Sequence, residues 1–504
     1  MDRCAWRSVG DGRHRVTEKS IGRLIADRAA DHPDRVLITD HHTGERVTAS
    51  ELDRRSNRLS RVFAGLGVGT DDLVTVALPT SVEFVVTCAA IWKCGATPQP
   101  LAPDLRTAER SAVEAVARPA LVVGAPPVDD TVPWWPAGAV PPSSVLDGPV
   151  EDRWAASWKA PTSSGSTGTP KVVQATAPAR FDPDAATPAF LPRSAVALVT
   201  GPMWHSATFT YALRGVMTDH SLVLADPLDV ATLPAIVAEH RVTWMMLTPS
   251  QIHRLVRSDA ARRSGADLDS LETVLHLGAP CPEADKRALI DLVGPQRVVE
   301  IYAGSESNGI TMIDGVDWLR HPGSVGRPLG DTELCIRRDD GSRADTGEIG
   351  EIWMRRSGGS RYRYLGADSH RDEQGWDTLG DIGALDEGGW LRVVDRRTHV
   401  VTCAGTDLYP ARLEQGIVGH PAVREAVVYG SRTADGESRL CAVVDIGDAQ
   451  VGRHSIETFT RAQLAAHCAT GPITVRRVPV RNAAGKVRRS SLPETVGAGA
   501  IGET

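Results

Sequence analysis

The 504-residue sequence predicts an α/β protein, with a large layered N-terminal domain of mostly parallel sheets and a small α+β C-terminal domain. Three observations predict it. The chain is too long for one ordinary core, so two or three domains are expected. Strand-like and helix-like apolar patterns alternate at the spacing of β-α-β units, which argues for parallel strands with helices packed between them. Beyond residue 397 strands and helices come in mixed order over about a hundred residues, enough for a small domain of its own.

In order, apolar residues at helical spacing predict a helix over 21–30, stopped by His32-Pro33, and a second over 51–64 after Ser50. Residues 73–78 read as a buried strand, 82–93 as a mostly apolar helix ending at Gly95, and 121–123 as a further strand. The stretch 125–150, rich in Pro, Gly and acid, reads as a surface excursion. Strands follow at 195–200, 222–224, 242–247, 273–277 and 298–302, with a helix over 230–239. Past 397 come a helix from Pro410, strands at 425–429 and 440–446, a helix over 456–467 and a last strand at 473–480.

Composition narrows the function. Apolar content of 41% and charged content of 24% are those of a globular protein, and a net charge of −7 gives no reason to expect a nucleic-acid partner. No run of eighteen apolar residues occurs and the N-terminus lacks an apolar signal core, so no membrane partner is expected. The eight cysteines lie far apart without C-x-x-C, indicating neither a disulfide framework nor a zinc site. The expectation is a cytoplasmic enzyme with reduced thiols.

Residues 162–171 read T-S-S-G-S-T-G-T-P-K. Glycines let backbone N–H groups approach a ligand closely, hydroxyls add donors, and Lys171 adds a point charge suited to phosphate. The alternative is a flexible Ser/Gly linker, which needs neither the closing Pro170-Lys171 nor the apolar V-V-Q-A that follows. A Walker loop is excluded, because no Gly directly precedes Lys171.

This run resembles the phosphate loop of adenylate-forming enzymes: acyl-CoA synthetases, nonribosomal-peptide adenylation domains and beetle luciferases. Their usual form is T-S-G-[ST]-T-G-x-P-K, and Ser163 stands for the first Thr. More motifs follow in family order: Trp204-His205, then Gly278-Ala279-Pro280, then Y-A-G-S-E from Tyr302 to Glu306, G-S-V-G-R-P from Gly323 to Pro328, L-G-D ending at Asp381, Asp395-Arg396, and Gly485-Lys486. The resemblance spans about residues 20–492, and its order is the specific part.

What the resemblance implies is adenylation of a small, aromatic or bulky acid by ATP. Ser163, Ser164, Gly165, Ser166, Thr167, Gly168 and Lys171 would hold phosphates, and Gly278, Ala279 and Pro280 would line the adenine with Tyr302 stacked on it. Ser305 accompanies the Mg²⁺ ligand Glu306, with Thr167 as a second ligand. Asp381 would clamp the ribose hydroxyls, and Arg396 would contact ribose and phosphate. Trp204, His205, Ala303 and Gly304 would border the acid; the Ala303 methyl, where Gly is usual, narrows that pocket. Leu379 replaces the customary Thr before Gly-Asp, and Thr398 replaces a charged pivot. The resemblance also makes 397–504 a mobile lid that brings Lys486 to a site on 1–396. His205, Glu306 and Lys486 are therefore the catalytic candidates.

CoA is the acceptor in most relatives. A carrier-protein thiol or an amine is the alternative, and some natural-product relatives activate nitrite for diazotisation. A nucleotide-binding protein without catalysis would have lost Lys486 or Glu306, and both are present.

Overall fold

A computed structural model describes residues 18–163, 171–259, 265–433, 435–482, 485–487, 489 and 492. Six parallel strands form the middle of a nine-stranded sheet, in the order Val298–Ala303, Thr273–His276, Trp244–Leu247, Val196–Val199, Ser221–Leu224 and Val36–Asp40. Their sequences are near-continuous apolar runs, as strands covered on both faces require. Antiparallel strands close both edges: Ile310–Asp314 and Arg327–Pro328 at one, Arg46–Thr48 at the other.

A second sheet is wholly parallel, in the order Thr97–Pro100, Leu73–Ala77, Leu121–Gly124 and Trp134–Pro136. Its last strand lies inside the stretch expected to be a surface excursion. The remainder of that stretch has no buried residue and is mostly exposed, with Val140 at 82% and Leu146 at 73%. A third sheet departs from the parallel expectation. Thr332–Arg337, Gly350–Arg356, Asp377–Leu385 and Leu391–Arg396 pair antiparallel, and the link between the last two is too short for a crossover.

Local chemistry explains where helices begin. The helix Ala49–Gly65 starts two residues before the expected boundary, because Thr48 and Glu51 form a reciprocal capping box. Val82–Lys93 is buried at every position but Glu83 and lies in the core beside the first helix. Helices Ser206–Met217, Pro249–Arg257 and Glu283–Val293 were not among the expected elements. The second was readable, since Thr248-Pro249-Ser250-Gln251 is a capping box with proline at the first helical position.

Gly326 shows why G-S-V-G-R-P needs its second glycine. Its φ is +98°, and a Cβ there would be driven into the Met312 carbonyl, while its own backbone pairs with Leu391 of the antiparallel sheet. Gly326→Ala is expected to cost about 3 kcal/mol or more, seen as a lowered thermal midpoint by circular dichroism. Gly330→Ala, at φ +64° with open space around it, should cost less. Equal losses would mean that backbone strain alone decides.

After the turn Arg397–His399, the chain builds its own sheet from Glu425–Arg432, Ser438–Asp445 and Thr470–Arg476. That sheet packs helices Pro410–Val418 and Arg453–Ala465 over Ile417, Val428, Leu440, Val444 and Ile456. Contacts tie this unit to the first. Ser250 Oγ donates to Glu425 at 3.0 Å, and His253 Nε2 donates to the Val423 carbonyl at 3.1 Å.

The expectation of reduced thiols is corrected here. Cys403 and Cys468, 65 residues apart, form a disulfide; wide spacing along the chain says nothing about spacing once a strand and a helix end pack together. Among the described residues no helix is long and apolar enough to cross a membrane.

Candidate active site

A cavity of about 1720 Å³ opens at the carboxyl ends of four adjacent parallel strands. Thr200 and Gly201, Thr248, Leu277 and Gly278, and Tyr302 and Ala303 follow or end those strands and line it. Open α/β sheets bind ligands at this edge, where loops diverge outside the strand ends. Helices Ser206–Met217 and Pro249–Arg257 both begin at the cavity and turn their positive ends toward it. The far wall comes from the C-terminal unit and includes Glu414, Arg481 and Lys486.

At the polar end Asp381 is held from two sides. Tyr302 donates its phenol to Oδ2 at 2.8 Å, and Arg396 Nε donates to Oδ1 at 3.1 Å. Burial and the neighbouring Asp381 charge push the Tyr302 phenol well above its ordinary value, so it keeps its proton and acts as a donor. Lys486 Nζ donates to the Gly278 carbonyl at 3.0 Å, across 208 residues of sequence. The Lys486 N–H donates to Asn482 Oδ1 at 2.9 Å, and Gly485 at φ +72° lets the chain turn there. The Lys486 side chain is exposed to the cavity space yet enclosed by protein, and that burial holds its ammonium below the usual lysine value.

Glu306 sits in a turn where Ser307 N–H donates to the Gly304 carbonyl at 3.1 Å. Tyr364 donates to its Oε1 at 2.6 Å, and Lys171 lies 4.8 Å from the centre of the Tyr364 ring. No described residue donates to Oε2. A carboxylate oxygen is a hard donor of the kind Mg²⁺ takes, so this residue fits the ion. Gly304 needs its lack of a side chain, since a Cβ would come within 2.7 Å of Glu306 Oε2 and 2.6 Å of Leu379.

His205 is the N-cap of Ser206–Met217, and its N–H donates to the Pro202 carbonyl at 3.0 Å. Met203 N–H donates to Thr80 Oγ1 at 2.9 Å and anchors the turn that carries Trp204-His205. Burial first, and the Lys486 charge second, push the imidazole down to about 4. The ring is therefore neutral in the native state above that value, whereas the unfolded chain takes up a proton below about 6.5. Its contribution to stability is present above 6.5 and is lost as pH falls toward 4. For activity the expectation follows directly. His205→Asn lowers the rate of pyrophosphate release but leaves the shape of the pH profile between about 5.5 and 7.5 unmoved. An acidic limb near 6.5 that vanishes in the variant would refute a neutral ring.

The cavity thus brings together Ser163, Lys171, Trp204, His205, Gly278, Ala279, Pro280, Tyr302, Ala303, Gly304, Ser305, Glu306, Asp381, Arg396 and Lys486. Ser164, Gly165, Ser166, Thr167 and Gly168 lie outside the described residues, but their flanks are joined by the antiparallel pair Ser163↔Lys171. Among the lining residues that escaped sequence reasoning are Tyr364, Lys159 and Arg214. The signals were present, as an alternating Y-R-Y-L and as single cations inside the apolar runs W-K-A-P and Y-A-L-R-G-V.

Comparison with known proteins follows the same line. The family described as AMP-binding enzyme matches residues 25–362. The chain is 27% identical to a long-chain-fatty-acid–CoA ligase, FadD13, of Mycobacterium tuberculosis, over 94% of this chain and 98% of that one. It is 26% identical to a feruloyl-CoA synthase of an Amycolatopsis species, over 90% and 94% respectively. Among solved structures, the o-succinylbenzoate CoA synthetase MenE of Bacillus subtilis, bound to its acyl-adenylate, superposes with a TM-score of 0.77. That match covers 94% of this chain and 98% of that one at 22% identity, and speaks for a shared fold.

Proposed function

The chain belongs to the AMP-binding enzyme family, and from that membership we propose that it activates a bulky or aromatic carboxylic acid with ATP and passes the acyl group to CoA. It is an ATP-dependent, AMP-forming ligase. The observation that carries the finer reading is Lys486, delivered by the C-terminal unit into the cavity at 3.0 Å from the Gly278 carbonyl. An ammonium there, beside the Asp381–Tyr302–Arg396 group, suits a reaction that develops charge between a nucleotide phosphate and an acid.

In the first half-reaction a carboxylate oxygen attacks the α-phosphorus, and the bond to pyrophosphate breaks. Asp381 accepts from the ribose hydroxyls, while Gly278, Ala279, Pro280 and Tyr302 border the base. Ser163, Lys171 and the loop between them take the phosphate oxygens. When bound, Mg²⁺ supplies positive charge to those phosphates; Glu306 would hold it, with Thr167 as the resemblance implies. Lys486 offsets charge at the bridging oxygens, and His205 packs as a neutral ring beside the acid. In the second half-reaction the thiol sulfur attacks the acyl carbon, loses its proton, and the bond to AMP breaks. We assign residues 397–504 as the lid that turns about Arg396–Thr398 between these steps. CoA as acceptor is supported by the CoA ligases among the relatives, and a bulky or aromatic acid by the Trp204, Phe190 and Tyr211 side chains lining the cavity.

Pyrophosphate release across a panel of acids, nitrite included, with and without CoA, tests the reading. Thioester and AMP should form in equal amounts. An acyl-adenylate consumed only with an amine or a carrier protein would change the acceptor and leave adenylation standing. Pyrophosphate with no acid at all would overturn it.

A further inference from the structure

Four cationic side chains are buried among the described residues, and their surroundings differ. Lys93 Nζ donates to Asp53 Oδ1 at 2.6 Å and to Asn57, and Lys286 donates to Glu300. Arg110 donates to the backbone carbonyls of Pro126 and Pro103. Lys159, only 5% exposed, donates to the Thr210 hydroxyl at 2.6 Å and forms no ion pair among the described residues. Arg214 lies beside it, also without a carboxylate among the described residues. The two cations share the indole of Trp158, with Lys159 Nζ at 5.0 Å and the Arg214 guanidinium carbon at 5.2 Å from its ring centre. Both line the cavity.

A buried lysine beside a half-buried arginine, with no ion pair to either among the described residues, is costly, because desolvation and mutual repulsion act together, and the Glu306 charge offsets that cost at Lys159 only in part. An aromatic face softens that cost without cancelling it. The strain is visible in Lys159, which burial first and the Arg214 charge second push down to about 7. In a folded protein such a pair is explained by an anion that arrives with a ligand.

The position says which part of the ligand. Thr210, Tyr211 and Arg214 lie on one face of Ser206–Met217, whose N-cap is His205. Nine residues separate His205 from Arg214, roughly 13 Å along the axis, and long helical side chains lean back toward the N-terminus. The cations therefore sit about 7–10 Å beyond the His205 end of the pocket, too far to hold the carboxyl that reacts there.

We propose that Lys159 and Arg214 bind a second carboxylate on the acid substrate, so that this chain activates dicarboxylic acids whose carboxyl groups are separated by the length of an aromatic ring or a medium chain. The inference rests on the acid-activating reading above and names its substrate class. The wall around the pair includes Phe190, Leu191 and Met246, which suits an apolar spacer between two anionic ends. Arg214 presents a planar fork to a carboxylate, and Lys159 adds a point charge.

The experiment compares matched acids in pyrophosphate release: a diacid, its half-ester or half-amide of the same shape, and the plain monoacid. The diacid should lead by about a hundredfold or more in kcat/KM. Lys159→Met and Arg214→Met should collapse that ratio to within about tenfold, mainly by raising the diacid's KM, with Arg214→Lys recovering part of it. Thermal unfolding checks that the variants fold, and removal of an unpaired buried charge should not lower their midpoints. Calorimetric titration of the wild type and Lys159→Met with the same acids, and with nitrite, reads the preference without turnover. Diacid binding lost in the variant supports the inference even if no acid is turned over, an outcome that counts only against the adenylation reading. Neutral acids or nitrite bound as tightly as the diacid, or a ratio unmoved by the substitutions, would overturn it.

Discussion

Lys486→Ala is expected to slow adenylate formation by roughly two to four orders of magnitude, while a supplied adenylate is consumed with the acceptor at close to the wild-type rate. The first effect follows from what the ammonium does in the closed arrangement. It stands at 3.0 Å from the Gly278 carbonyl and close enough to His205 to depress the imidazole. The side chain comes from the C-terminal unit, held here by Ser250–Glu425 and His253–Val423 contacts. These are polar, and on the proposed lid reading the unit leaves once pyrophosphate has gone, taking Lys486 with it. Equal loss in both half-reactions would mean that the unit does not turn or that the variant is misfolded, and thermal unfolding separates those two.

Glu306→Gln should abolish adenylate formation, by about a thousandfold or more, with little change in the thermal midpoint. The amide keeps the shape and can still accept from Tyr364, which donates to Oε1 at 2.6 Å. What it loses is the negative charge. That charge faces Lys171 across the Tyr364 ring and also acts on Lys159, so the variant leaves those cations less compensated as well as removing the oxygen ligand. Tyr364→Phe separates the two effects, since it frees the carboxylate but keeps its charge, and should cost no more than about tenfold. Activity measured against Mg²⁺ concentration is the readout. A Glu306→Gln enzyme with unchanged rate and Mg²⁺ dependence would sink the assignment.

Much of this site was legible because its parts are local. A glycine-hydroxyl run, a strand-end Y-x-x-S-E, or a Gly-Lys turn each encodes backbone geometry within a few residues, and order along the chain then identifies the set. Parallel strands were legible too, as apolar runs at β-α-β spacing. Tyr364 was readable as part of an alternating strand but not as part of the site, because it meets Lys171 only through the pairing of Tyr362–Leu365 with Lys171–Ala175. Helix Ser206–Met217 escaped because a half-apolar, half-polar run after a strand carries no capping side chain to announce it.

By itself the sequence determined the reaction class, many of the residues that the polar end of the cavity brings together, and the division into a large and a small unit. Each of these depends on contiguous motifs and periodicity. Only the tertiary structure decided that Cys403 meets Cys468, that Lys486 reaches Gly278, and that Lys159 and Arg214 stand together with no paired carboxylate among the described residues. Charge compensation and bond formation depend on distance in space, and residues far apart along the chain acquire that distance only when the core packs.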